Sequence, residues 1–398
     1  MSGLFSLQSV AGQLGTAGGG AATPVTHRLV GILGISAMIG IAWLVSTDRR
    51  RVNWRLVGMG VALHAAVGVV MLLTPVGLVL FRAANAVFLQ LIGFTEAGAR
   101  FIFGNLVRNN VPVGTVTGTP PDMAEMTRVE LWAETGAFVA FNVLPIIIFF
   151  SSLMSVLYHL GVMQRVVRGI AWVMQRTMRT SGAETLSVAG NIFVGQTESP
   201  LLIRPFVGSL TYSELNTVMV GGFATIAGSV MAAYVGMLSP YFTDIAGHLL
   251  TASVMNAPAA LLISKVLVPE TAVPDTADSL GVAVEKRETN VIEAAAAGAA
   301  QGLQLALNVG AMLLAFIALI AMINYGVAGV GGWIGVSDLS LERILGWLLT
   351  PLAWLMGVPA EEAPLVGSLI GIKTVVNEFV AYLGLADHLA VHALSDRG

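Results

Sequence analysis

Gly195-Gln196-Thr197-Glu198-Ser199-Pro200 sets a carboxylate, an amide and two hydroxyls between two helix breakers, inside sequence that is otherwise apolar. An ionisable side chain buried in a bilayer costs roughly 2.5 to 3.5 kcal/mol even on the lenient insertion scale, so it marks a ligand, an ion path or a buried partner. The bland reading of the hexapeptide is a loop at the membrane surface. A second carboxylate, Glu378, follows Asn377 in Gly371-Ile372-Lys373-Thr374-Val375-Val376-Asn377-Glu378. Its bland reading is an ion pair with Lys373, although a spacing of five is poor for one helix face. Glu accepts from hydroxyls and ring N–H groups, while Gln and Asn donate and accept, a set suited to a neutral polyhydroxyl solute; a cationic solute competes. For an ion, the Asn191 side-chain oxygen, the Thr225 hydroxyl and carbonyls freed at a turn are hard ligands suited to Na+, and taken singly both side chains also suit helix packing.

These residues need elements to hold them. With 56% hydrophobic and 11% charged residues and a mean hydropathy of +0.81, the chain is an all-α polytopic membrane protein. Apolar runs of helix-spanning length recur, unlike the ten-residue alternating strands of an outer-membrane barrel. Spans are expected at Leu29–Ser46, Leu56–Phe81, Gly136–Leu160, Leu215–Leu238, Ile245–Val268 and Ala294–Asn324. Ala83–Phe103, Val162–Thr180 and Leu339–Leu355 carry charges at helical spacing and read as helices lying in the interface. The glycines at 326 to 332 read as a turn-rich linker.

Basic residues gather after the first span (Arg49, Arg50, Arg51, Arg55) and after the third (Arg165, Arg168, Arg176, Arg179), which places those loops in the cytoplasm and the N-terminus outside. Arg168-x3-Trp172-x9-Gly182 is matched by Arg343-x3-Trp347-x9-Gly357, each copy preceding an interrupted apolar segment. On the expected topology the copies face opposite sides, making an inverted repeat, the architecture of secondary transporters that hold solute between two broken segments. From Glu184 to Gly195 a helix would reach about 18 Å, to the middle of the bilayer, and must then turn back as a re-entrant hairpin tipped by Gln196, Thr197 and Glu198.

Several classes are excluded or weak. Zero cysteines remove disulfides and thiolate metal sites, and no basic patch interleaved with aromatics suggests nucleic acid. His388-x3-His392 lacks a third ligand, while His64, His159 and His248 read as packing or interface residues. An intramembrane enzyme using the paired carboxylates has little support, so the expectation is no enzyme.

At both polar clusters the sequence resembles the concentrative nucleoside transporters. Asn191-Ile192-Phe193-Val194-Gly195-Gln196-Thr197-Glu198-Ser199-Pro200 resembles that family's first hairpin, and Lys373 to Ala381 its signature near the C-terminus. The likeness runs through Ser155–Gln164 and Gln301–Met312, covering most of the chain from residue 29. It implies that Gln196, Thr197, Glu198 and Val230 contact the nucleobase and that Asn377 and Glu378 bind the ribose. It also implies a Na+ site from Asn191, Val194, Thr225 and Ile226, with Thr225 standing where close relatives have serine.

Further implications are a homotrimer in the bacterial inner membrane, a nucleoside substrate such as uridine, and elevator-type symport on the Na+ gradient. H+ coupling or another polar solute is the alternative. The expected organisation is a flexible tail at 1–26, scaffold helices with an interfacial helix at 27–165, and a first transport-domain repeat at 166–268. A cytoplasmic linker at 269–290, a long scaffold helix at 291–325 and an incomplete second repeat at 338–398 follow. Because the resembled family continues past the position of Gly398 into a helix supplying a Phe, an Asn and a Ser to the site, the expectation is a truncated chain that transports poorly.

Overall fold

A computed structural model describes residues 25–107, 110–113, 131–134, 139–196, 198–277, 288–336, 338–391 and 394. The Gly-rich tail, Thr197, Lys286, Arg287 and His392 lie outside the described residues. The described residues are helical apart from one short antiparallel ribbon that the sequence reading did not anticipate, β1 (Asn110–Val113) on β2 (Leu131–Glu134). Among the described residues, six helical stretches are long and apolar enough to cross a membrane.

Helices α1 (Val25–Leu44) and α2 (Trp54–Leu73) come first, then α3 (Pro75–Phe103). The expected boundary between the span Leu56–Phe81 and the helix Ala83–Phe103 is therefore misplaced: the span stops at Leu73, and 83–103 is the greater part of a helix that starts at Pro75. Thr74 is extended and its hydroxyl accepts from the Gly77 amide at 3.1 Å, while Pro75, with no N–H to leave unsatisfied, opens a new 29-residue helix. A π-helical turn, Val139–Val143, leads into α4 (Leu144–His159), and the amphipathic α5 (Val162–Met178) follows. The hairpin region consists of α6 (Gly182–Gly190) and a 3-10 arm, Ser199–Ser209. Beyond it lie α7 (Tyr212–Ala224), α8 (Gly228–Leu238), α9 (Ile245–Leu267) and α10 (Val291–Ile334), then α11 (Leu341–Leu355), α12 (Ala363–Val375) and α13 (Glu378–Ala390).

Two further expectations are corrected. The span Leu215–Leu238 falls within one apolar stretch long enough to cross, Tyr212–Leu238, but it is interrupted at Thr225–Ala227, which divides it into α7 and α8. Glycines 326 to 332 are helical, extending α10 to 44 residues, about 66 Å at 1.5 Å per residue. Glycine disfavours helix in water, but where water is scarce an unpaired backbone group costs more than glycine's lost entropy.

The chain divides into two compact units. In the larger, Ile41–Leu319, α9 is the hub. Its Met255 carbonyl meets His64 Nδ1 at 2.9 Å, its Ser264 carbonyl takes the Asn216 amide at 3.1 Å, and His248 lies 4.9 Å from the Phe81 ring. These histidines pack, as expected. Helix α4 meets α10 at Gly298 and Gly302, where added Cβ atoms would come within 2.8 Å of Ser151, Ser152, Ser155 and Ile148 atoms.

In the smaller unit, Met1–Gly40 with Ile320–Gly398, Gly34 of α1 abuts the Leu355 carbonyl with no room for a side chain. Asn324 near the end of α10 accepts from the Leu341 amide at 2.8 Å and donates to Glu342 at 3.0 Å, fixing the start of α11.

Each unit runs in the same order, an amphipathic helix and then two short arms joined by a turn. Trp172 and Trp347, about half exposed, are each covered by an arginine, Arg176 at 6.0 Å and Arg343 at 5.2 Å. The third letter of the repeat does not hold: Gly357 follows the end of α11 at φ 98, whereas Gly182 is the first residue of α6.

Candidate functional site

The first hairpin is shorter than its sequence suggests. Its helical arm α6 has nine residues, about 14 Å, and every one is buried. Ser181 caps it by accepting from the Glu184 amide while Glu184 accepts from the Ser181 amide. At the other end the chain leaves the helix at Asn191, and Pro200 and Pro205, which lack N–H groups, hold the returning arm in 3-10 form. The arms are pinned at Ser187 and Ser199, whose hydroxyls are 2.9 Å apart, and at Gly190, where a Cβ would meet Leu202 Cδ1 at 2.6 Å.

The turn docks on the break between α7 and α8. Gly221 and Gly222 leave room for Val188 and Gln196, where added Cβ atoms would fall 2.8 and 2.9 Å from their side chains. Gly228 donates its amide to the Phe193 carbonyl at 2.9 Å. Thr225, extended at φ −124 and ψ 158, turns its hydroxyl back onto the Gly221 carbonyl at 2.8 Å, and Asn256 of α9 satisfies the Ala224 carbonyl at 2.8 Å.

Asn191 is 1% exposed, yet neither its Oδ1 nor its Nδ2 has a hydrogen-bond partner. An amide left so costs about 1 to 3 kcal/mol, so a native fold keeps it for something that binds. Nδ2 would lie 3.4 Å from a Cβ on Gly221, the residue whose carbonyl holds the Thr225 hydroxyl. Asn191 and Thr225 are thus brought together, with Val194 beside the turn and Ile226 inside the break.

Glu198 lies at the hairpin tip with its side chain exposed, and it opens onto a cleft of about 720 Å³. Val194, Gly195, Leu201 and Leu202 form the hairpin wall, Ser151, Ser155 and Tyr158 of α4 the wall opposite, with Gln301 of α10 and Ser229 of α8 between them. Gln196 is exposed nearby, whereas Val230 is buried in α8.

In the smaller unit the second cluster also sits at a break. Asn377 is the N-cap of α13, accepting from the Val380 amide at 3.0 Å, which leaves its amide N–H groups available. Glu378 is the first residue of α13, exposed, and among the described residues it makes no ion pair with Lys373.

Three regions match family models: residues 33–106 the N-terminus of the Na+ dependent nucleoside transporters, residues 140–241 a nucleoside recognition (gate) region, and residues 248–398 the transporters' C-terminus. An uncharacterized transporter of Haemophilus influenzae is 43% identical over 91% of this chain and 80% of its own length. The chain belongs to the concentrative, Na+-dependent nucleoside transporter family. Mouse sodium/nucleoside cotransporter 1 is 41% identical over 91% of the chain, which spans about half (51%) of that protein. Among solved structures, CNTnw in an inward-facing substrate-bound state matches with TM-score 0.78 at 44% identity, covering 94% of this chain and 82% of that one. A variant of CNTnw in an outward-facing state gives 0.81 at 44%, covering 94% and 83%.

For a member of this nucleoside transporter family, one buried network was missed by sequence reasoning. Lys265 of α9, 6% exposed, pairs with Glu184 at 2.7 Å and Glu270 at 3.2 Å and donates to Ser213 at 2.9 Å. Glu214, 1% exposed, accepts from Ser181 and from the Thr211 amide, so the caps of α6 and α7 share one cluster. Burial alone would raise the Glu270 carboxyl, but the Lys265 ammonium, the Thr211 hydroxyl and the Ala272 amide together hold it below the usual value. The signal was legible as two capping boxes, Ser181-x-x-Glu184 and Thr211-x-x-Glu214.

Proposed function

We propose that this chain is a secondary active symporter that takes nucleosides such as uridine into the cell on the Na+ gradient. The observation that carries the reading is Asn191, buried and unpartnered where the first hairpin meets the broken α7–α8 helix. A hard cation fits oxygens gathered at such a break, here Asn191 Oδ1, the Thr225 hydroxyl and the Val194 and Ile226 carbonyls. Asn191 and Val194 belong to the same turn as Gln196 and Glu198, so an ion held there also fixes the solute-binding tip. Coupling of this kind is typically about 1 to 3 kcal/mol and is reciprocal.

In this reading Gln196, Thr197, Glu198 and Val230 receive the nucleobase, and Glu378 with Asn377 receives the ribose hydroxyls. A carboxylate accepts two hydroxyls well, and the Asn377 amide, its oxygen engaged by Val380, still donates. The first repeat at 166–268 and the second at 338–398 form a transport domain that moves as an elevator against a scaffold of residues 27–165 and α10. The inward- and outward-facing states named for CNTnw support alternating access. The working unit is a homotrimer in the bacterial inner membrane with the N-terminus outside.

Uptake of labelled uridine into proteoliposomes tests this. Whatever uridine accumulates is expected to require an inward Na+ gradient and not to follow K+ or a pH gradient alone; uptake indifferent to Na+ would overturn the coupling, and transport of other polar solutes but no nucleoside would overturn the substrate. Glu198→Gln and Glu378→Ala should each abolish uptake with expression intact.

A further inference from the structure

The α4 wall of the cleft carries polar groups that no role above uses. Ser151, Met154, Ser155 and Tyr158 follow the three- and four-residue spacing of one helix face, so all four look into the cleft together. The Tyr158 hydroxyl is buried and has no hydrogen-bond partner, and it lies close enough to Glu198 to feel that carboxylate's charge. Beside it, the Gln164 amide N–H donates to the Tyr158 carbonyl at 2.6 Å, which fixes the side chain and leaves Gln164 Oε1 buried and unpartnered.

A donor-acceptor phenol and a lone acceptor therefore face an acceptor, Glu198, across a cleft roomy enough for a drug-sized solute. Buried polar atoms are almost always satisfied, and three left open among the residues lining one cleft, the Tyr158 hydroxyl, His159 Nδ1 and Gln164 Oε1, point to a ligand that completes them. Water is the bland alternative, yet the phenol ring also offers a flat apolar face to a planar heterocycle, which water does not exploit.

We propose that Tyr158 and Gln164 form a nucleoside contact where the end of α4 meets the start of α5, so that solute at the hairpin tip is held between Glu198 and the Tyr158 phenol and selected by the hydrogen-bonding group it offers there. The proposal rests on the nucleoside reading above. The Tyr158 hydroxyl, unpartnered within the protein, can donate to a solute carbonyl or hydroxyl oxygen, and Gln164 Oε1 takes a solute N–H or O–H.

The test is equilibrium binding to the purified full chain in Na+, by calorimetry, with uridine, its 2′-, 3′- and 5′-deoxy analogues and 3-methyluridine. Tyr158→Phe removes one oxygen and keeps the ring. It should weaken uridine about tenfold, the value of roughly one hydrogen bond, while leaving unchanged the one analogue that lacks the partner group. Equal weakening of every analogue would assign Tyr158 a merely structural role and overturn the proposal, as would unchanged uridine affinity. Should wild-type protein bind uridine and Tyr158→Phe show either pattern, only this proposal fails; should wild-type protein bind none of the nucleosides, the functional reading fails and takes this one with it.

Discussion

Gly228 donates its amide to the Phe193 carbonyl at 2.9 Å, and a Cβ on Gly228 would stand 2.6 Å from that same oxygen. Backbone meets backbone here, so the first residue of α8 can only be glycine if the hairpin turn is to stay seated on the helix break. Gly228→Ala should push the turn away from Thr225. The expected result is a Na+ activation constant for uridine uptake raised at least about tenfold, with expression retained. An unchanged constant would mean that the turn and the break are not coupled.

Asn191 separates stability from function. Because neither polar atom is paired, an apolar replacement of similar size removes a buried liability and leaves no partner stranded. Asn191→Leu should match or exceed the wild-type melting temperature in Na+-free buffer, yet lose the upward shift that added Na+ gives the wild type. Thermal unfolding with and without Na+ measures both.

Lys265 should behave in the opposite way. Removing it leaves Glu184 and Glu270 without their shared cation in a buried setting, so Lys265→Met should destabilise by about 3 to 5 kcal/mol. Adding Glu184→Gln should recover part of the loss, since one stranded charge is then gone. Denaturant unfolding in detergent tests the pair, and strict additivity of the two substitutions would contradict the contact.

Glu270 gives an acid limb to stability. Its carboxyl is held below the ordinary value in the folded protein, so the folded state binds the proton less tightly than the unfolded chain. The stabilisation is complete above the unfolded carboxylate value, about 4.3, and is lost as pH falls through the depressed folded value. Glu270→Gln should therefore flatten the drop in melting temperature between pH 6 and pH 3. An acid limb as steep as the wild type would assign it to other carboxylates.

The two turns that carry the candidate residues were legible because of their residue types: Gly195 and Pro200 bracket the first turn, and Asn377 caps the helix that follows the second. The break at Thr225–Ala227 was not, since Thr, Ile and Ala carry no breaking signal and are apolar enough to pass as mid-span. What opens the helix there is tertiary, the Asn256 amide that takes the Ala224 carbonyl and the Thr225 hydroxyl folded onto Gly221. The glycines at 221, 222 and 228 were the available hint, because they permit the hairpin's close approach. Thr74-Pro75 was a plain start signal overridden by the hydrophobic run on either side of it, and the boundary was misplaced for that reason. Tyr158 could not be singled out, since an aromatic at the end of a span usually marks only the interface.

The Lys265 cluster also bears on how the protein is made. Glu184 leaves the ribosome long before Lys265 exists, and a nine-residue helix ending in an open turn cannot hold itself in hydrocarbon. The first hairpin therefore lacks its buried cation until α9 has been synthesised, and interrupting synthesis between residues 210 and 260 should leave the hairpin open to proteases.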